Sequence, residues 1–333
     1  MTEPVMETDA RRGANLLNVG RSIKGNFTPD EVLEKCNLNF NVTLEQCKTN
    51  DGTPMTGISG NMYTVRSDTK QVLGNGLSKG FGILQNPTFA HVVSEFVGHT
   101  GACITNAGSR RNGANVFMVA EMPQEYNVIV GNETPAQVYA VFQNSHDGSG
   151  SVKITFTCVR FFCMNQMPMF TAQAQIKVSH TSKVEERLFS EVDKVLNQVR
   201  LSIETFEVGY NKMLNTKIKR ENAIDLVDYL IGSKMGMYKS DKNDKDSEKV
   251  LKFSGRHENI RNKILENLNH ESNTVGNMVG TVWAVYNAYT YYVDHQRVLD
   301  NEGNIKPNAR ENSVFDAGRV DRQAAVKKCL TVC

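Results

Sequence analysis

Apolar and polar positions alternate along much of the first half of the chain, and near residue 182 they change to a helical period. Leu38-Asn-Phe40-Asn-Val42-Thr-Leu44 puts every second side chain on one apolar face, the signature of a half-buried strand. Just before it, Thr28-Pro29-Asp30-Glu31 supplies a hydroxyl cap, a proline suited to the first helical turn and two acids facing the helix dipole. A helix is therefore expected to start there. Past the Asn50-Asp-Gly52 turn, strands are expected over 62–66 and 80–84, and Pro87 opens a short amphipathic helix carrying Phe89, Val92, Val93 and Phe96. Residues 102–106, 114–122, 126–130, 137–143 and 152–162 are rich in Val, Ile, Phe, Tyr and Thr, with turn-forming clusters between them. Connections this short predict antiparallel pairing.

From Val184 the apolar residues step by 4, 4 and 3: Val184–Val195–Phe206, Leu188–Val199–Tyr210, and Val192–Ile203–Leu214. This 11-residue cycle keeps one stripe on one side of a single helix about 50 Å long. The stripe is expected to pack on the sheet or on other helices, with a coiled-coil partner as the alternative. Further helices are expected over 222–231, 249–268, 275–296 and 317–330, and residues 239–249 (KSDKNDKDSEK) read as a charged connector. The expected fold class is α+β: an N-terminal antiparallel β-sheet with short helices, followed by a long helix and a helical C-terminal half. Residues 1–27 read as a flexible N-terminal segment, 28–181 as a strand-rich core and 182–333 as a helical region.

Charge narrows the classes of function. Lys+Arg 38 against Asp+Glu 36 leaves a formal charge of +2 over 333 residues, which excludes a histone-like basic protein and an acidic disordered chain. Only nine charged side chains fall in 101–180, so the sheet there is expected to be buried on at least one face. A polyanion site would have to be made by a few placed arginines. Asparagine is abundant, at 33 residues, and recurs in turns. Residues 275–293 have about the length of a membrane span, but Asn277, Thr281, Asn287, Thr290 and the tyrosines would each need a polar partner in lipid. A buried helix is expected there, with no membrane partner. The polar opening lacks the character of a secretory leader, and the seven cysteines form no CxxC pair, so no structural zinc is expected and the reduced cytoplasm fits best. Cys103, Cys158 and Cys163 read as small core residues.

Several groups are candidates for chemistry. Gly74-Asn-Gly-Leu-Ser-Lys-Gly-Phe-Gly82 matches neither the P-loop nor the dinucleotide spacing, and reads as a flexible turn. His146-Asp147-Gly148 sits in NSHDGSG between two strands, where a hairpin turn needs such residues; a metal or general-base pair there would require further ligands to converge. His295 reads as a capping or pairing residue near a helix end. No nucleophile elbow is present, so neither an enzyme nor a cofactor is expected. Arg110-Arg111 at a hairpin tip is balanced between a solvated turn and a phosphate contact. Arg160, in an apolar strand beyond Lys153, leans toward a buried structural pair, with a phosphate groove as the alternative. Phe161 and Phe162 beside it could stack on bases. Trp283, Tyr286, Tyr289 and Tyr292 form a stripe of helical spacing, more characteristic of core than of a stacking platform.

The run Asn144-Ser-His146-Asp147-Gly148-Ser-Gly-Ser, followed by Val159-Arg160-Phe-Phe-Cys163-Met-Asn165, closely resembles the core motif of a phage and plasmid-like protein family, the domain-of-unknown-function 932 family. Thr28-Pro-Asp-Glu, Tyr63-Thr-Val-Arg66, Ser179-His180-Thr181 and Gly280-Thr-Val-Trp283-Ala-Val-Tyr-Asn287, with Tyr292-Val-Asp294-His295, look like its other blocks, so the resemblance covers roughly 28–330. Gly80-Phe81 and Tyr289-Thr-Tyr291 depart from the pattern. The resemblance implies a mobile-element product in a bacterial cytoplasm and brings no agreed mechanism. The order of helix, antiparallel strands and long helix also resembles the core of phage single-strand annealing proteins, which hold single-stranded DNA in a basic groove and often form rings. The expected function is thus a non-enzymatic, single-stranded nucleic-acid-binding accessory protein for recombination or replication. Arg110, Arg111, Lys153 and Arg160 would contact phosphates, Phe161 or Phe162 would stack on bases, and a homo-oligomer is in prospect. Two alternatives stand beside it: an interaction protein that modulates a host or defence factor, and a metal-dependent nucleic-acid enzyme around His146 and Asp147.

Overall fold

The computed structural model describes residues 19–23, 27–131, 135–160, 164–168, 175–232, 255–274 and 276–333, apart from the side chains of 189–198, 200–202 and 272. The chain divides into two compact units. The first comprises Met1–Asn127, Gln137–Cys158 and Thr171–Ile203, and the second Val128–Ala136, Val159–Phe170 and Glu204–Cys333. The architecture is α+β, with strands in the N-terminal half and helices concentrated in the C-terminal half.

The first unit begins with the short strand β1 (Arg21–Ser22) and helix α1 (Pro29–Lys35). Helix α1 starts where its sequence directs. Thr28 Oγ1 accepts from the Glu31 N–H at 3.3 Å, while the Glu31 carboxylate accepts from the Thr28 N–H at 2.8 Å, a reciprocal capping box. Strands β2 (Val42–Gln46), β3 (Met62–Arg66) and β4 (Val72–Leu77) then form a small antiparallel sheet. Helix α2 (Asn86–Thr100) buries Phe89, Val92, Val93 and Phe96 and ends on Gly101 in the left-handed region.

The larger sheet runs in the lateral order β1, β5 (Cys103–Arg110), β6 (Asn115–Glu121), β7 (Gln137–Ser145), β8 (Val152–Val159) and β9 (Gln175–Val178). The β1–β5, β5–β6, β6–β7 and β8–β9 pairs are antiparallel. Phe96 of α2 meets Phe142 and Phe156 at ring-centroid distances of 5.1 and 6.2 Å. The even-numbered side chains of β7 and β8 therefore face α2, and the odd-numbered ones face the other way.

Two strand expectations change. Residues 80–84 form no strand; the strand is β4, at 72–77. The glycine run that reads as a flexible turn lies partly inside β4 because the backbone there touches another backbone. A Cβ on Gly74 would stand 2.4 Å from the Asp147 Cα. Residues 126–130 hold only an isolated bridge, Val128 to Ala136, after a short 3₁₀ turn at Gln124–Tyr126.

Helix α3 (Val184–Asn215) is the predicted long helix, and its first part belongs to the first unit and its remainder to the second. Of the apolar stripe, the described side chains Val184, Leu188, Val199, Ile203, Phe206, Tyr210 and Leu214 are all buried. The second unit continues with α4 (Arg220–Gly232), α5 (Gly255–Asn267), α6 (Val282–Tyr291), α7 (Ala309–Phe315) and α8 (Ala317–Val332). Helix α6 starts at 282 rather than 275, because Gly276 and Gly280 take left-handed conformations (φ 57° and 68°) and Thr281 caps the helix by accepting from the Ala284 N–H. At its far end α6 widens into a π turn, Tyr292–Gln296. The charged connector 239–249 lies outside the described residues. Among the described residues no helix is long and apolar enough to cross a membrane.

Candidate functional site

Three side chains of the first unit hold one extended segment: Asn144 near the end of β7, His146 in the turn that follows it, and His180 just after β9. His180 Nδ1 donates to the Gly82 carbonyl at 2.9 Å, and Asn144 Nδ2 donates to the Leu84 carbonyl at 2.8 Å. His146 Nε2 lies 3.0 Å from Asn86 Oδ1. The segment leading into α2 is thus gripped at positions 82, 84 and 86. Thr64 of β3 donates to the His146 carbonyl at 2.7 Å, and Phe40 meets the imidazole edge-on. Over the same Phe40 ring, 3.9 Å from its centre, lies Arg66, which also donates to the Asn112 carbonyl and pairs with Asp68. His146 is 0% exposed, and burial holds its pKa down to about 3. A neutral imidazole so enclosed does not act as a charged group or as a solvent-facing base. Burial likewise lowers the pKa of His180, which stacks on Phe81.

At one end of the larger sheet the polar groups are presented differently. The β5–β6 tip, Arg111-Asn112-Gly113, has three consecutive positive φ values (50°, 59° and 106°). Arg111 is 61% exposed and reaches Asp147 at 3.4 Å. The Asp147 carboxylate accepts from Ser145 Oγ at 2.5 Å, the Ser149 N–H at 2.9 Å and Asn115 Nδ2 at 3.3 Å. Burial works to raise its pKa, but the bonds from Ser145 and Ser149 and the Arg111 charge outweigh burial and hold it below the usual range.

Register assembles the basic residues. Arg110 stands across from Asn115, and Asn115 across from Ser145, so all three share the face turned away from α2. Lys153 shares it too: its Nζ and the Ser145 Cβ both lie within 4 Å of the point that a Cβ on Gly150 would occupy. Lys153 is directly opposed by Lys177 of β9, a lysine that the sequence pattern alone did not single out. Its signal was the alternation Gln175-Ile-Lys177-Val, which aligns it with the odd face of β8. Arg110, Arg111, Lys153 and Lys177 therefore occupy one end of one sheet.

Arg160 is not among them. It is 3% exposed, belongs to the second unit, donates to Asn287 Oδ1 at 2.7 Å and lies 5.5 Å from the Trp283 ring centre. Burial in this network removes it from the phosphate-contacting set, because the groups that would bind an anion are turned onto Asn287 and Trp283. Asn165 Nδ2 donates to the Asn287 carbonyl at 3.1 Å, and the N–H of the next residue, Gln166, donates to Asp294 at 2.9 Å. Asp294 also accepts from Arg322 and Ser313, both buried. Trp283 stacks on Tyr286 and meets Tyr210, so it serves the core, and His295 lies beside Tyr291 in the π turn. Phe161, Phe162 and Cys163 lie outside the described residues.

Among the described residues, no three His, Cys, Asp or Glu side chains are grouped to hold a metal ion. Of the motif residues, Asn144 and His146 belong to a buried hub in the first unit, and Arg160, Asn165, Trp283, Asn287 and Asp294 to a second buried hub in the other unit. No curated protein and no solved structure matches the chain significantly. A family model does, over residues 75–326, which includes both hubs: the chain belongs to the family of the domain of unknown function DUF932.

Proposed function

We propose that the chain binds single-stranded nucleic acid through the sheet end that carries Arg110, Arg111, Lys153 and Lys177, as an accessory factor in the recombination or replication of a mobile element. One observation carries the reading: four basic side chains from three separate stretches of the sequence share that end. Lys153 and Lys177 oppose each other directly, and like charges in that position cost the sheet stability. A phosphate near the pair is attracted by both ammonium groups. Arginine forks at an exposed, glycine-containing tip suit phosphate oxygens and leave the bases unread, so the binding is indifferent to sequence. With few cations and Asp147 beside Arg111, the binding is weak and its salt dependence modest.

The test is fluorescence anisotropy of a labelled thymidine oligonucleotide at several salt concentrations. Four phosphate contacts predict a slope of log K against log salt of about −3. Arg110→Ala/Arg111→Ala and Lys153→Ala/Lys177→Ala should each weaken binding and make that slope shallower. Absence of binding at low salt would sink the reading, as would binding by both double variants as tight as that of the wild type.

A further inference from the structure

The helical unit contains a cavity of about 220 Å³ between α4, α5 and α6. Ala223, Leu265, Leu268, Ala284 and Val285 make its walls apolar. Thr281 also lines it, but its hydroxyl is already engaged, donating to the Met278 carbonyl and accepting from the Ala284 N–H. For comparison, an apolar cavity of ~150 Å³ admits benzene. Close-packed interiors rarely leave that much space.

The mouth has a different character. Arg220, Asn269 and Val279 stand there, all exposed, with Val279 at 60%. Neither the Arg220 guanidinium nor the Asn269 amide makes a side-chain hydrogen bond or ion pair with another described residue. Lys217 adds positive charge at the same loop, donating to the Asn277 carbonyl at 3.4 Å. Arg220 is also the first residue of the 13-residue helix α4, whose N-terminal end adds partial positive charge. An apolar chamber below two uncommitted donors, one of them cationic, suits a ligand with a hydrocarbon body and an anionic head.

We propose that this cavity binds a small amphipathic carboxylate, its chain against Leu265, Leu268 and Val285 and its carboxylate on Arg220 and Asn269. The site is independent of the nucleic-acid reading and is tested without nucleic acid. Sodium octanoate is titrated into the full chain by calorimetry, with octylamine as the control of opposite charge. Saturable one-to-one octanoate binding is expected, about tenfold weaker in Arg220→Ala because one charge-assisted bond is lost. Octylamine should bind weakly or not at all. Ala284→Leu and Ala223→Leu fill the chamber from two helices and should each abolish octanoate binding, with circular dichroism confirming the fold. The proposal is overturned by absence of saturation in the wild type, by equal binding of octanoate and octylamine, or by undiminished binding in a folded chamber-filled variant.

Discussion

Asn86 and His146 fix each other's chemistry across sixty residues of chain. Asn86 uses its amide nitrogen on the Leu38 and Phe40 carbonyls, which turns Oδ1 toward the imidazole. An acceptor there requires His146 to carry a proton on Nε2, and burial keeps the ring from taking up a second one. In the unfolded chain the same histidine takes up a proton below about pH 6.5. Folded, it resists until about pH 3. Between these values the unfolded state binds more protons, so stability falls as the pH drops, by up to about 1.4 kcal/mol per unit from this group. His180, also lowered by burial, acts in the same direction. In His146→Gln the amide can still donate to Asn86, so the variant should lose stability less steeply between pH 7 and pH 5 when urea midpoints are compared. Identical pH dependence in the two proteins would refute the assignment.

Asp147 partly neutralises the basic sheet end through Arg111. An Asp147→Asn substitution keeps an acceptor for Ser145 and Ser149 while removing the negative charge. Oligonucleotide affinity should rise about threefold to tenfold at low salt, as expected for one lost unfavourable charge near a phosphate. Unchanged or weaker binding by the folded variant would place the nucleic-acid surface elsewhere.

Two glycines give opposite forecasts for the same substitution. Gly98 lies exposed within α2 with nothing near its Cβ position, so Gly98→Ala should stabilise the chain by about 0.5–1 kcal/mol through helix propensity. Gly74→Ala would force a methyl against the Asp147 backbone and should destabilise by about 2 kcal/mol or more. Thermal melts of the two variants must move in opposite directions.

The Asp294–Arg322 pair is enclosed on both sides, with side chains 2% and 1% exposed. Asp294→Ala leaves Arg322 buried without its carboxylate and removes the acceptor of the Gln166 N–H, so a loss of about 3–5 kcal/mol is expected. Asp294→Leu/Arg322→Met removes both charges and should cost less than Asp294→Ala alone. Guanidinium denaturation distinguishes the two outcomes, and a double variant worse than the single one would mean the pair is net stabilising.

Periodicity carried most of the fold: the 11-residue stripe of α3 and the apolar face of α2 lie where hydrophobic spacing puts them, because burial follows spacing directly. Strand β4 was hidden because its glycines contribute no alternation, and close backbone approach leaves no pattern in side-chain type. The site was legible one residue at a time. Arg111 at an exposed tip could be read from its turn, and the buried role of Arg160 from its apolar strand. That Asn144, His146 and His180 grip alternate positions of one segment could not, since each bond joins residues about sixty to a hundred apart. Lys177 gains its meaning only from register.

The π turn at Tyr292–Gln296 makes the angular phase of the chain after α6 depend on residue count. Removing one residue there would rotate the downstream chain by about 100° around the helix axis. Asp294 would swing away from Gln166 and Arg322, and His295 from Tyr291, with no change in residue type. The stretch should therefore accept substitutions on its surface far more readily than a single insertion or deletion.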